Sequence, residues 1–214
     1  MHFYIEGGKM KTKFCKYFFV YIIIPVVFLL SPSCNITPSS ISSTEKYLMY
    51  DQVEKMPCLI MFEGFQPASG KRMKNLGRKI SLSTNLAVCA TSGNHDQHMP
   101  IIRHAYKHHQ QICIAGYSTG EHDALSLAED CEKEGINVQK LFLMDGHKKE
   151  KIHSNVKHAV DIVGLNHYMF RRSERYQKTD LENIKTSIKY FQLSCNHLDI
   201  PANCKRIILS EIPL

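Results

Sequence analysis

The sequence lacks an apolar run of the roughly 20 residues that a membrane-spanning helix needs; its longest, Tyr17–Leu30, has 14. It has no internal repeat, which excludes solenoids and propellers. A disulfide framework is also missing, although there are eight cysteines. Cys58, Cys89 and Cys113 sit in apolar runs that read as central strands, where a free thiol behaves as a small hydrophobe. Cys15 precedes the long apolar run and Cys131 lies on a helical stretch. Only Cys195 and Cys204, flanking His197, are placed for a bridge in an oxidising compartment. Charge of one sign is not concentrated either. The formal net charge is +7, but once residues 1–33 are set aside 23 basic and 19 acidic residues leave +4. The basic residues are spread over Lys71–Lys79, Lys148–Lys151 and Arg171–Arg175 without interleaved aromatics, so they read as solvated faces and no nucleic-acid partner is expected. The twelve histidines, His95, His98, His104, His108 and His109 among them, match no zinc spacing. No carboxylate or cysteine cluster accompanies them along the chain, so they read as a polar helix face, and no metal or organic cofactor is expected.

What is present first is an amino terminus unlike the rest. Lys9, Lys11, Lys13 and Lys16 precede the apolar run, and Ser31-Pro32-Ser33-Cys34 follows it. A basic segment, a short apolar segment and small residues make a signal for export. Residues 1–33 are therefore expected to be a signal peptide or membrane anchor, and residues 34–50, rich in Ser, Thr and Pro, a tether. Leu30–Cys34 resembles a bacterial lipoprotein processing site, although its leucine is one place too far upstream and Pro32 departs from the pattern. Lipidation of Cys34, simple cleavage and a retained anchor all stay open. The expected location is the cell envelope or the exterior.

With 43% hydrophobic and 22% charged residues, the remaining 51–214 suffices for one domain with a sizeable core. Apolar runs at Cys58–Phe62, Leu86–Ala90, Ile112–Ala115, Val138–Met144 and His158–Gly164 read as buried strands, and Ile184–Phe191 as a last short one. Between them, Met73, Leu76 and Ile80 recur on one face of a helix, Pro100–Gln110 reads as a second, and Glu121–Glu134 as a third. Ala202–Ile212 is expected to close the chain as a helix. Strands alternating with helices predict a three-layer α/β sandwich, a mostly parallel central sheet with helices on both faces.

Gly116-Tyr117-Ser118-Thr119-Gly120 fits G-x-S-x-G between a strand and a helix, the order a nucleophile elbow requires. A strained turn exposes the serine, and the glycines leave room for strand and helix to approach. GYSTG in this setting, with the LIMFEGF segment upstream, resembles the α/β-hydrolase superfamily of esterases, lipases and thioesterases from about Cys58 onward. The resemblance implies a serine nucleophile at Ser118, a carboxylate past a later strand and a histidine in a late loop. Asp145 and His197 hold those places. Asp161, inside a strand, and Asp180, in a loop nearer the histidine, are rival acids. His147 and His167 precede any suitable acid-to-histidine crossover, and Asp199 reads as a helix cap. The Thr119 backbone N–H is one expected oxyanion donor. The other is the N–H of Phe65, after a strand end where Gly64 is kept but Glu63 stands in the place of the usual histidine.

The expected activity is cleavage of a small acyl ester or thioester through an acyl-enzyme on Ser118, and no insertion long enough for a lid separates Asp145 from His197. Acyl transfer to another acceptor would use the same residues. A non-catalytic envelope protein that keeps the fold for binding is the competing reading, favoured by Glu63 and by Gly146 after Asp145.

Overall fold

The computed structural model describes residues 4–6, 9–11, 52–64, 71–91, 94–146, 151–165 and 186–212. The chain divides into two compact units, Met1–Thr37 and Pro38–Leu214. In the first, Tyr4–Glu6 pairs antiparallel with Lys9–Lys11. Tyr17–Leu30 and Cys34, on which the expectation of export rests, lie outside the described residues. Among the described residues no helix is long and apolar enough to cross a membrane.

The second unit is built on six strands, β1 (Cys58–Phe62), β2 (Ala87–Thr91), β3 (Ile112–Tyr117), β4 (Val138–Met144), β5 (Val156–Gly164) and β6 (Ser187–Leu193). Every neighbouring pair is parallel and the order across the sheet is β2-β1-β3-β4-β5-β6. Such a sheet must be covered on both faces, because crossover connections put a helix over each. Alternation along the strands distributes the two cores: Cys58, Ile60 and Phe62 enter one, Leu59 and Met61 the other. Helices α2 (Met99–Lys107) and α3 (Gly120–Lys133) cover the first core, burying Ile101, Ile102, Ala124 and Leu127. On the opposite face lie α1 (Arg72–Ser81), α4 (Ile200–Asn203) and α5 (Lys205–Glu211), burying Met73, Leu76, Ile80, Ile200 and Ile208. The three-layer arrangement is the one the sequence pattern predicts.

Strand order turns at β1, whose neighbours are β2 on one side and β3 on the other. The crevice beyond the carboxyl ends of such diverging strands is where open α/β sheets bind ligands. The ends of β1 and β3 deliver Glu63-Gly64 and Ser118 to it.

Two expected elements come out differently. Strand β3 continues past Ala115, because Gly116 and Tyr117 pair with Leu143 and Met144 of β4. The closing helix is split: Asn196 is extended, a single turn spans His197–Asp199, and Pro201 stands in the first turn of α4, where a missing N–H costs nothing. Asp199 occupies the N-cap position of α4 without a side-chain capping bond. Cys195 and Cys204 are free thiols. The Cys204 sulfur packs 3.5 Å from Met144 Sδ, and burial pushes its pKa up to about 12, so it acts as core.

Candidate active site

Ser118 follows the last residue of β3 and is held at φ 57°, in the left-handed region that costs a non-glycine residue about 1–3 kcal/mol. Two backbone bonds fix it there: its N–H donates to the Met144 carbonyl at 2.8 Å, and its carbonyl accepts from Glu121 N–H at 3.2 Å. The turn is tight enough to need a glycine before it. A Cβ on Gly116 would stand 2.5 Å from Glu121 Cα and from the Gly120 carbonyl oxygen. Any larger residue there would have to displace the first turn of α3.

Asp145 repeats this device at the end of β4. It has φ 52°, and its N–H donates to the Ile162 carbonyl at 2.9 Å, one strand further on. Its carboxylate accepts from the Gly164 N–H at 3.3 Å through Oδ1, leaving Oδ2 for the histidine. The next residue, Gly146, donates its N–H to Oε1 of Glu121, a buried acid in the first turn of α3. A side chain next to the Ser118 turn thus holds the residue that follows Asp145.

His197 sits in the turn after β6. Its Nδ1 lies 2.6 Å from Asp145 Oδ2 and its Nε2 lies 3.0 Å from Ser118 Oγ. The Nδ1 contact to a carboxylate sets the tautomer: Nδ1 carries the proton and Nε2 presents a lone pair to the serine hydroxyl. The ring stacks on that of Tyr117, centroids 5.0 Å apart and planes 26° apart, and the Tyr117 hydroxyl donates to the His197 carbonyl at 2.9 Å. From α1, the Arg72 guanidinium donates to the carbonyl of Leu198. The histidine's loop is therefore fixed by side chains from β3 and α1 at once.

Gly64, at the end of β1, faces Ser118 so closely that a Cβ there would lie 2.7 Å from Ser118 Cβ and 3.3 Å from Ser118 Oγ. The Thr119 N–H, at the N-cap of α3, bonds to no acceptor among the described residues and stands at the positive end of a 14-residue helix dipole. Phe65, the other expected oxyanion donor, lies outside the described residues, as do Asp180, His147 and His167. Of the rival acids, Asp161 is buried within β5, paired in register with Leu143, while the carboxylate on the His197 ring is that of Asp145. Glu63 is buried, and its N–H extends the β1–β2 ladder to the Thr91 carbonyl at 2.8 Å.

The structure thus brings Ser118, His197 and Asp145 into one hydrogen-bonded chain, with Thr119 beside them. Sequence reading missed Tyr117, Glu121 and Arg72. Tyr117 and His197 are 80 positions apart, and no spacing rule connects them. Glu121 carried a signal of another kind, an acid in the first turn of a helix, but that is explained by the dipole alone.

His104 and His108 lie on the partly exposed face of α2, but His98 departs from the expected polar face. His98 is fully buried, its ring edge-on to Phe62 with centroids 5.3 Å apart. Desolvation, helped by neighbouring His95, lowers its pKa to about 4. His95 lies within 3.7 Å of carboxylate oxygens of Asp96, Asp123 and Asp130, and Glu54 meets His104 and His108. Apart from Asp96, the sequence neighbour of His95, these acids come from a distant segment or the opposing helix, so the absence of a carboxylate cluster along the sequence did not carry over to space. Two clefts among the described residues, one lined by Pro57 and Ser81–Leu86 and one by Tyr106, Gln110 and Ile112, lie at the amino ends of strands, away from Ser118.

No family model matches the sequence, and no curated protein matches it. Solved structures do match in fold. The type II thioesterase BorB from the borrelidin biosynthetic cluster superposes with a TM-score of 0.53 at 14% identity, over 73% of this chain and 93% of its own. An esterase from Pyrobaculum calidifontis gives 0.54 at 12% identity, over 72% and 74%. Human thioesterase 2 gives 0.51 at 12% identity, over 72% and 92%. The chain has the α/β-hydrolase fold.

Proposed function

We propose that this protein is an exported serine hydrolase that cleaves carboxylic ester or thioester bonds through an acyl-enzyme on Ser118. The observation that carries the reading is the continuous chain from Ser118 Oγ through His197 to Asp145, with steps of 3.0 and 2.6 Å, set on a strained turn at the crevice of the sheet. The match in fold to thioesterases and esterases supports the reaction class.

In this mechanism the Ser118 hydroxyl attacks the acyl carbonyl while His197 Nε2 takes its proton. Asp145 keeps the ring oriented and stabilises the imidazolium without itself being protonated. The carbonyl oxygen becomes an oxyanion held by the Thr119 N–H and the N–H that follows Gly64, that of Phe65. Collapse of the tetrahedral intermediate expels an alcohol or thiol, which receives the proton from His197. Water, deprotonated by the same nitrogen, then attacks the acyl-serine and releases the acid. An acceptor other than water would turn the second half into acyl transfer. The substrate is a small acyl ester or thioester.

Export rests on the basic and apolar segments of residues 1–33, and attachment to the envelope on that segment or on a lipid at Cys34. Mass spectrometry of the mature amino terminus distinguishes cleavage, lipidation and retention.

The catalytic reading is tested by labelling the purified protein with a fluorophosphonate and mapping the modified peptide. Labelling at Ser118 that disappears in His197→Ala establishes an activated serine. A folded protein that does not react supports the binding-protein reading instead.

A further inference from the structure

Two groups of imidazole and carboxylate donors lie outside the catalytic centre, and one of them has the composition and spacing of a metal site. Helix α2 buries Ile101, Ile102 and Ala105 against the sheet. His104 and His108, four residues apart, therefore share a neighbouring stripe of its surface, with ring centroids 4.7 Å apart. The segment before β1 buries Val53 in the same core and is held by Gln110 Nε2, which donates to the Glu54 carbonyl at 3.0 Å. With Val53 inward, the Glu54 side chain meets the two histidines: Oε1 is 2.9 Å from His104 Nε2 and 3.9 Å from His108 Nε2. All three donor atoms fall within 4.8 Å of one another.

Tetrahedral coordination with bonds of about 2.0–2.1 Å needs donor atoms roughly 3.4 Å apart. The two Glu54–histidine separations bracket that value and no donor pair exceeds 4.8 Å, so small rotations of the three side chains would close the site without moving the backbone. Two neutral imidazoles and one carboxylate form a borderline donor set that suits zinc-type transition ions, whereas calcium and magnesium prefer oxygen-only shells. Water would complete the fourth position. The other group, His95 with Asp96 and Asp130, offers one imidazole and a carboxylate that is 75% exposed, which describes an ordinary solvated ion pair equally well.

We propose that Glu54, His104 and His108 bind a divalent transition-metal ion of the zinc type, which fastens the segment before β1 to α2. The site adjoins the amino end of β3, since Cys58 N–H donates to the Gln111 carbonyl at 2.8 Å, and Ser118 stands at the other end of that strand. The ion is structural: it stabilises the folded chain by mass action and takes no part in acyl chemistry. The inference stands independently of the catalytic reading.

The test uses metal-stripped full chain titrated with Co2+, read by visible ligand-field absorption, and with Zn2+, read by thermal unfolding. The expected result is one saturable equivalent with a tetrahedral-type Co2+ spectrum and a rise in Tm with Zn2+, both lost in His104→Gln/His108→Gln and in Glu54→Gln and both kept in His95→Gln. Circular dichroism checks that each variant is folded, and Glu54→Gln keeps the test open should the double variant fail to fold. Absence of saturable binding by the folded protein, binding that survives both the double variant and Glu54→Gln, or loss in His95→Gln alone would overturn the proposal.

Discussion

The Tyr117 ring lies flat against the His197 ring, 5.0 Å between centroids, while its hydroxyl holds the same residue's carbonyl at 2.9 Å. One buried side chain thus fixes both the plane of the imidazole and the loop that carries it. Removing the hydroxyl alone, in Tyr117→Phe, keeps the stack and takes one of two donors from the carbonyl, which still accepts from the Ile200 N–H. The expected outcome is a loss of about 1 kcal/mol in urea unfolding and a fall of about tenfold in kcat with KM little changed. An unchanged kcat would show that stacking suffices to place the ring.

On the proposed function, the strain at Ser118 sets stability against reactivity. Glycine reaches φ 57° without penalty, so Ser118→Gly is expected to raise unfolding free energy by about 1 kcal/mol, the relief of strain less the added freedom of the unfolded chain. The same variant loses fluorophosphonate labelling and ester turnover altogether. A destabilised Ser118→Gly would mean that the serine's contacts outweigh its backbone strain.

Gly64 tests the surroundings of Ser118 from the neighbouring strand. A methyl group there would sit 2.7 Å from Ser118 Cβ and 2.8 Å from the Tyr117 carbonyl oxygen. Gly64→Ala is therefore expected to slow labelling of Ser118 by at least about 100-fold, while circular dichroism shows the sheet intact. Labelling at the normal rate would place the end of β1 farther from the serine.

His98 gives a pH dependence whose sign is fixed by burial. Its folded pKa is about 4, below the 6.5 of a solvated imidazole, so between these values the unfolded chain binds more protons. Stability from this group is full above pH 6.5 and falls as the pH drops toward 4. Between pH 7.5 and 5 the loss amounts to about 2 kcal/mol. Urea unfolding of the parent and of His98→Leu at the two pH values checks this, because the variant should lack that part of the slope.

The sequence disclosed the parts of the site that obey local rules. GYSTG shows itself because a tight strand-to-helix turn needs small residues on either side of the serine, and Asp145 because a polar residue directly after an apolar strand marks a strand end. His197 was legible only through chain order. What escaped was contact between segments far apart: Tyr117 on His197, Glu121 on Gly146, Arg72 on Leu198 and Glu54 on His104. Strand β3 looked shorter than it is because glycine and tyrosine break the apolar run, yet the ladder with β4 carries both residues to the edge of the crevice. His98 was misplaced for a similar reason, since a polar neighbourhood along the chain says nothing of the Phe62 ring packed against it.

Ser118 and Asp145 hang from backbone bonds that prolong the β3–β4 and β4–β5 ladders by one rung. Their spacing is thus inherited from the pitch of the sheet, and slipping one strand by a single residue would shear them about 3.3 Å apart. On the proposed function the pair works as a gauge of alignment, in which turnover would report whether the central strands are in step.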